Sequence, residues 1–346
     1  MIFRSLGVKC NPRTGFCDGK TRFVPVELMD VAGLVEGASE GKGLGNQFLD
    51  NLRQADLFIH IVDASATTDN EGKEGEGDPV GDVRMLENEL DKWYTNILRK
   101  VWGKLAKQVQ QTKEDSYKAI AKQFSGLKVT EDDVRSVMVS LDLVSKSIVD
   151  WNDSELRSFA NKLRHNTKPM TIIANKCDMP GAKEHIETLK SEFSDLLIIP
   201  CSADSELSLR QAAQHGLIDY QQGAGTFVIH EDKVNEKQKE ALALIKKNVL
   251  DVYGSTGVQE VLDGAVFDLL KYIAVFPAGS KLADSKGNVL PDCFLLKEGS
   301  TALDFAFYLH TDIGNSFVKA VDVRTKMAVG KDHVLKHRDG LEIMTS

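Results

Sequence analysis

The sequence predicts an α/β protein: a doubly wound parallel sheet, interrupted by a helical insertion and followed by a smaller strand-rich module. Three observations predict it. Short apolar runs of strand length each end in a polar cluster. Stretches of helical periodicity separate them, and near the C-terminus the pattern turns into short strands around one helix. Hydrophobic residues at 42% and charged residues at 27% are the balance of a folded globular chain. At about 150 residues per domain, 346 residues suggest two or three domains. Lys and Arg number 43 against 51 Asp and Glu, a net charge of −8, which argues against indiscriminate coating of nucleic acid. DNA is not an expected partner.

The first strand is expected at Phe23–Met29 before Asp30, and the second at Leu57–Val62 before Asp63. An insertion over 67–166 follows, opening with the acidic, Gly-rich loop Thr67–Pro79. Val83, Leu86, Leu90, Trp93, Ile97, Val101 and Leu105 then recur at helical spacing. Further helical patterns cover Lys113–Phe124, Glu131–Leu143 and Ser154–Arg164, with Trp93, Trp102 and Trp151 expected in the core of this small bundle. The sheet resumes at Met170–Ala174 before Asn175 and at Leu196–Pro200 before Cys201-Ser202. A short run at Thr226–His230 precedes a long helical region from Asn235 to about Tyr272, punctuated by Gly254 and Gly257. Pro277-Ala-Gly-Ser280 reads as a linker, and Thr301 with Asp304 as the N-cap pair of the last helix. The expected domains are therefore 1–66 and 167–276 for the sheet with its helices, 67–166 for the insertion and 277–346 for the terminal module.

No run reaches the roughly 18–20 apolar residues of a membrane span; Val266–Phe276 is broken by Asp268 and Lys271. The opening MIFRSLGVKC is too short in its apolar part for a secretory signal, so a cytoplasmic location away from membranes is expected. Five cysteines, Cys10, Cys17, Cys177, Cys201 and Cys293, read as reduced thiols and not as a disulfide framework.

In open α/β sheets ligands sit beyond the carboxyl ends of the strands, where these polar clusters fall. Asn175-Lys176-Cys177-Asp178 carries the most chemistry. A carboxylate at Asp178 can accept from the N1–H and the exocyclic amine of guanine, a pair that adenine does not offer. The Asn175 amide can serve the other edge of the base and brace a neighbouring loop, while the Lys176 stem can lie along the ring. Asp30-Val-Ala-Gly33 is the second cluster: Asp30 can hold a water on Mg²⁺, and the Gly33 N–H can approach a γ-phosphate where a Cβ would obstruct it. The third is Cys201-Ser202-Ala203, whose backbone N–H groups could reach the guanine carbonyl. The order D-x-x-G, N-K-x-D, S-A, each after its own strand, points to a guanine-nucleotide domain working with GTP, GDP and Mg²⁺. His60 reads as a core residue, and His310 with Asp312 as turn chemistry.

These motifs carry a resemblance. Asp30–Leu49, DVAGLVEGASEGKGLGNQFL, resembles the switch II region of Obg-like GTPases, and the chain is similar over nearly its whole length to the YchF-related branch of that group. Asn288–Met344, with GSTALDFAFYLHTDIG at Gly299–Gly314, resembles a TGS domain. The resemblance implies a P-loop-NTPase-type G domain, an inserted helical domain and a C-terminal β-grasp TGS domain, with GTP hydrolysis as a molecular switch linked to ribosomes. Leu34 stands where many GTPases carry a water-orienting glutamine, so slow intrinsic hydrolysis is expected. Gly33, Gly37, Gly41, Gly43 and Gly45 suit a loop that reorganises between nucleotide states. YchF relatives associated with ATP depart from this motif, so the intact NKCD favours guanine.

No G-x-x-x-x-G-K-[ST] loop occurs in the 346 residues. Gly19-Lys20-Thr21 has its ending, but Thr14 stands where the first glycine belongs, and a strand and not a helix is expected to follow. Against the family pattern the chain reads as lacking roughly its first fifty residues, the span of a strand, a P-loop, a helix and a switch segment. The expectation that follows is impaired nucleotide binding and hydrolysis. The alternative is a nucleotide-independent adaptor that binds RNA or ribosomes through the TGS domain and the insertion. Arg99, Lys100, Lys104 and Lys107, with Lys113, Lys118 and Lys122 further on, form a basic stripe suited to that role.

Overall fold

In the computed structural model, residues 10–17, 21–31, 53–69, 73–279, 282–283 and 286–346 are described. The chain divides into two units, Met1–Met29 with Val266–Ser346, and Asp30–Ala265.

The expected first strand does not form as such. β1 (Phe16–Cys17) and β2 (Arg22–Phe23) make a short antiparallel hairpin, and Val24–Asp30 belongs to no strand, with Leu28 67% and Met29 45% exposed. An apolar run becomes a strand only when another strand takes its N–H and C=O groups, and no described residue does so here. The Thr21 side of the hairpin confirms that no helix follows Gly19-Lys20-Thr21, of which residues 19 and 20 lie outside the described residues. Nor do the described residues up to Met29 join the parallel sheet, as the expected 1–66 boundary required. Asn11 and Arg13 donate backbone N–H bonds to the Val289 and Pro291 carbonyls at 2.8 and 3.0 Å, and the Arg22 guanidinium also donates to Pro291 at 3.0 Å.

The larger unit is built on a parallel sheet of β3 (Phe58–Asp63), β4 (Met170–Asn175) and β5 (Leu197–Pro200), in that order. Between β3 and β4 comes the helical insertion. Helix α1 (Pro79–Arg99) opens with Pro79 at its first turn and the Asp78 carboxylate capping the Gly81 N–H. It buries Val83, Leu90, Trp93, Tyr94 and Leu98. The periodic run that continued through Leu105 is broken at Lys100–Val101, where β-branched Val101 and Gly103 are weak helix formers. It resumes as α2 (Trp102–Thr112). Then follow α3 (Ser116–Gln123), α4 (Glu131–Ser140) and α5 (Asp153–Thr167). Reciprocal capping boxes, Thr130 with Asp133 and Asn152 with Glu155, satisfy the orphan amides that start α4 and α5. Trp93 and Trp151 are buried, while Trp102 is half-buried with its ring 5.2 Å from that of Trp151. Fully buried Arg164 of α5 ties that helix to α1: its Nε donates to Asp91 at 2.8 Å and its terminal nitrogens to Glu87 at 2.9 and 3.0 Å.

Beyond β4 the chain runs through α6 (Ala182–Glu192), β5, α7 (Ala203–Gln214) and the hairpin β6 (Ile218–Tyr220) and β7 (Phe227–Ile229). The long helical region is interrupted: α8 (Glu236–Ile245), a π-turn at Lys246–Leu250, a last turn at Asp251–Tyr253, then α9 (Val258–Asp263) after a break at Gly254–Gly257.

The smaller unit is a five-stranded sheet formed by β8 (Tyr272–Pro277), β9 (Phe294–Lys297), β10 (Phe317–Asp322), β11 (Ala328–Val329) and β12 (Gly340–Thr345), ordered β11-β10-β12-β8-β9. Strand β12 returns to pair in parallel with β8. Helix α10 (Ala302–Leu309), capped by Thr301 and Asp304, buries Ala302, Phe305 and Ala306 in this unit's core. The terminal module therefore begins at Tyr272 and not at 277. Pro277, read as the start of a linker, is the last residue of β8 and sits opposite Leu341.

Candidate functional site

Register aligns the three strand ends. Asp63 pairs with Asn175 across β3 and β4, and Ala174 with Pro200 across β4 and β5, so that Asp63, Asn175 and Cys201 follow one another along one edge of the sheet. Backbone bonds continue the alignment past the strands: Ala64 N–H to Asn175 O at 2.9 Å, Cys201 N–H to Ala174 O at 2.9 Å, and Cys177 N–H to Cys201 O at 3.0 Å.

The Asn175–Asp178 loop is strained at one residue. Lys176 has φ +60°, in the left-handed region that a side chain with a Cβ rarely adopts, and such strain persists only where surroundings over-determine it. Here the Cys177 bond to Cys201 and the Met179 N–H to the Lys176 carbonyl, at 3.0 Å, hold the turn. The Lys176 ammonium reaches across to β3 and pairs with Asp63 at 2.8 Å. Asp63 also receives the Ser65 backbone N–H at 2.9 Å and the Ser65 and Thr68 hydroxyls at 2.5 and 2.7 Å. Burial alone would raise this carboxyl, but the hydrogen bonds from Lys176, Ser65 and Thr68 outweigh it and hold the group well below the usual carboxylate range.

Asn175 turns its side chain toward the third cluster: the Ala203 N–H donates to Asn175 Oδ1 at 3.1 Å. That amide is therefore engaged within the protein. Buried Ser202 caps α7, its hydroxyl taking the Ser205 N–H at 3.4 Å and bonding the Ser205 hydroxyl at 2.8 Å, which leaves the first turn of α7 at the edge of the cluster. Asp178 is half-buried and its carboxylate has no hydrogen-bond partner among the described residues. Cys177 and Cys201 line the loops, yet burial pushes both thiols up to about 12, so neither is a nucleophile at neutral pH.

The structure thus brings together Asn175, Lys176, Asp178, Ser202 and Ala203. Asp30 is exposed at the start of the larger unit, and Gly33, Leu34 and the glycines beyond lie outside the described residues. His60 is pushed down to about 4 by burial, with its Nδ1 buried and unpartnered. His310 caps the short helix Thr311–Asn315 by accepting the Asp312 N–H at 3.2 Å. Sequence marks Asp63 only as a polar strand end and the Tyr253–Gly257 turn only by its glycines, and gives neither a role in the site, which both contact. In Asp63 the only local signal was a polar residue closing an apolar strand.

A family profile described as the G4 motif-containing domain of Obg-like, YGR210-like GTPases matches residues 173–279, and a TGS domain profile matches 272–345. A 50S ribosome-binding GTPase profile matches residues 11–100. It aligns from residue 11 onward and so gives no support to the expectation of a G domain shortened at its N-terminus. The chain is 48% identical over 346 residues to an uncharacterised GTP-binding protein of Methanocaldococcus jannaschii, covering 99% of this chain and 86% of that one. It is 30% identical over 156 residues to the ribosome-binding ATPase YchF of Mycoplasma genitalium, covering 45% and 40%. The crystal structure of a GTP-binding protein from Pyrococcus horikoshii superposes with a TM-score of 0.80 at 40% identity, over 99% of this chain and 89% of that one.

Proposed function

The chain belongs to the Obg-like, YchF-related GTPase family with a TGS domain, and from that premise we propose that the ends of β3, β4 and β5 form the base-binding half of a guanine-nucleotide switch that hydrolyses GTP to GDP. The observation that carries the proposal is the juxtaposition of an unengaged Asp178 carboxylate with the first turn of α7, the two loops being tied by the Asn175 bond to Ala203. Asp178 accepts the guanine N1–H and exocyclic amine, and Lys176, tethered by Asp63, lays its stem along the ring. Asn175 fixes the loop that carries Ser202 and Ala203, whose segment faces the base carbonyl. The two hydrogen bonds to a charged acceptor are worth roughly 1.5–3 kcal/mol each, and adenine cannot make them.

Magnesium favours carboxylate and water oxygens. Asp30 fits that preference, being exposed and without a hydrogen bond among the described residues, whereas the Asp63 oxygens are already occupied. Asp30 would hold the ion through a water, with Gly33 near the γ-phosphate, and the bound ion would neutralise phosphate charge. Leu34 cannot orient a water by hydrogen bonding, so hydrolysis is slow until a partner completes the site. The partner is the ribosome, which places the switch in the cytoplasm; the ribosome-binding GTPase profile supports this reading.

A second reading, RNA binding by the insertion, is favoured by one specific observation. Lys104 and Lys107 are exposed on α2, a helix that contains no carboxylate, and exposed Lys100 lies in the turn just before it. Arg99 leaves the expected stripe, since Asp153 holds its guanidinium at 2.7 and 2.8 Å.

Competition of GDP and ADP against fluorescent GDP tests the main reading, beside Asp178→Ala. GDP should outcompete ADP by at least about tenfold, and the substitution should remove that preference. Equal competition by the two nucleotides would refute a guanine site at these loops.

A further inference from the structure

We infer that the turn Tyr253–Gly257 is a positioning element of the base site, locked in place by the buried carboxylate of Glu206. The inference rests on the guanine-site reading above. This one turn grips both base-facing loops. The Tyr253 hydroxyl donates to the Cys177 carbonyl of the Asn175–Asp178 loop at 3.2 Å. The Thr256 carbonyl accepts the Ser202 N–H of the other loop at 3.0 Å.

The turn is itself held from behind. Wholly buried Thr256 donates its hydroxyl to Glu206 Oε2 at 2.6 Å, and the Tyr220 hydroxyl donates to the same oxygen at 2.7 Å. Ser255 accepts the Gly257 N–H at 2.9 Å and donates to Glu260 at 2.7 Å. Gly257 has φ +82°, and a Cβ there would lie 2.0 Å from the Pro200 carbonyl oxygen. The turn therefore seats directly on the end of β5.

Glu206 is 5% exposed, and burying a carboxylate costs several kcal/mol unless hydrogen bonds compensate. A residue needed only to fill space would be apolar. What the carboxylate supplies is a fixed direction for Thr256, hence for the carbonyl that holds Ser202 and for the start of α7. Through Tyr253 the same turn fixes the Cys177 carbonyl, so the spacing between Asp178 and the α7 amides is set from one point. Glu206 and Thr256 touch no base; they act through Ser202 and Cys177.

The test compares the full chain with Glu206→Leu, Thr256→Val and the conservative Glu206→Gln. Two quantities are read: the GDP-over-ADP preference in competition with fluorescent GDP, and hydrogen exchange of the Ser202 amide without nucleotide. Leu and Val should lose at least about tenfold in preference and exchange Ser202 at least about tenfold faster, the scale of one lost hydrogen bond. Gln, which keeps an acceptor for both hydroxyls, should stay close to the parent chain. Folded variants that keep both the preference and slow Ser202 exchange overturn the inference and leave the guanine site standing. A parent chain without GDP preference refutes the guanine site; Ser202 exchange then decides the turn's role alone, and unchanged exchange overturns it. Should Glu206→Leu fail to fold, Thr256→Val carries the same comparison.

Discussion

Lys176 and Asp63 form an ion pair of 2.8 Å across the ends of two neighbouring parallel strands, although 113 residues separate them in the chain. The pair anchors a lysine whose backbone is held at positive φ, so it stabilises both a side-chain position and a strained turn. Asp63→Asn keeps an acceptor for Ser65 at the Oδ1 position but puts an amide NH2 where Oδ2 accepts from Thr68 and Lys176, and it loses the charge opposite Lys176. The expected cost is about 2 kcal/mol of unfolding free energy, the scale of a charge-assisted bond, measured by urea denaturation at neutral pH. No change in the midpoint would mean that the pair is not stabilising.

The pH dependence follows from the direction of the Asp63 shift. The folded carboxyl titrates below its unfolded value of about 3.9, so its stabilisation is complete above that value and is lost as the pH falls toward the folded one. Acid titration of stability should therefore be less steep below about pH 4 in Asp63→Asn than in the parent chain. Parallel titration curves would contradict the assignment.

Base choice can be inverted at Asp178. A carboxylate accepts two hydrogen bonds from guanine, whereas an amide offers one donor and one acceptor, which matches xanthine, whose C2 carries a carbonyl. Asp178→Asn should lose GDP affinity by at least about tenfold and gain preference for xanthosine diphosphate. Competition titrations with the two diphosphates report this directly. Retained GDP preference would move the base elsewhere.

Much of the site was legible because its signals are local. An apolar run that stops at a polar residue marks a strand end, and β3, β4 and β5 end within a residue of the expected positions. Capping boxes are local as well, and Thr301 with Asp304 starts its helix as read. What failed was non-local. Phe23–Met29 has strand composition, but a strand requires a partner, and composition cannot supply one. The start of the terminal module is not legible locally, because β8 belongs to it through pairing with β9 and with β12, which return from later in the chain. Nothing local marks Glu206, whose use emerges only when Thr256 and Tyr220 fold onto it.

Arg164 is a buried cation that ties two helices of the insertion together. It is fully buried and bonded to both Glu87 and Asp91; burial would lower its pKa, but those carboxylates outweigh it and raise it. Removing one member of such a group leaves buried charge uncompensated, typically at about 3–5 kcal/mol. Arg164→Met should cost about that much, and adding Glu87→Gln and Asp91→Asn should recover a substantial part. Denaturation of the four chains in parallel measures the coupling, and strict additivity would argue that the three charges do not act together.

The lysine side of α2 makes a prediction that separates a binding surface from a solvated helix. Lys104 and Lys107 lie at i and i+3 on α2, about 4.5 Å apart along its axis at 1.5 Å per residue, and exposed Lys100 lies in the turn just before the helix. The absence of acidic residues from α2 leaves the field of the Lys104 and Lys107 ammonium groups uncancelled within the helix. Each phosphate contact releases a counterion, so log K falls with log salt by about 0.7–0.9 per contact. Replacing all three with glutamate should weaken binding to a ribosomal RNA fragment and reduce the salt slope by about 2–3. Arg99→Ala should leave the slope nearly unchanged, because its guanidinium is already held by Asp153. If the triple variant keeps both the affinity and the slope, this side of α2 does not contact RNA.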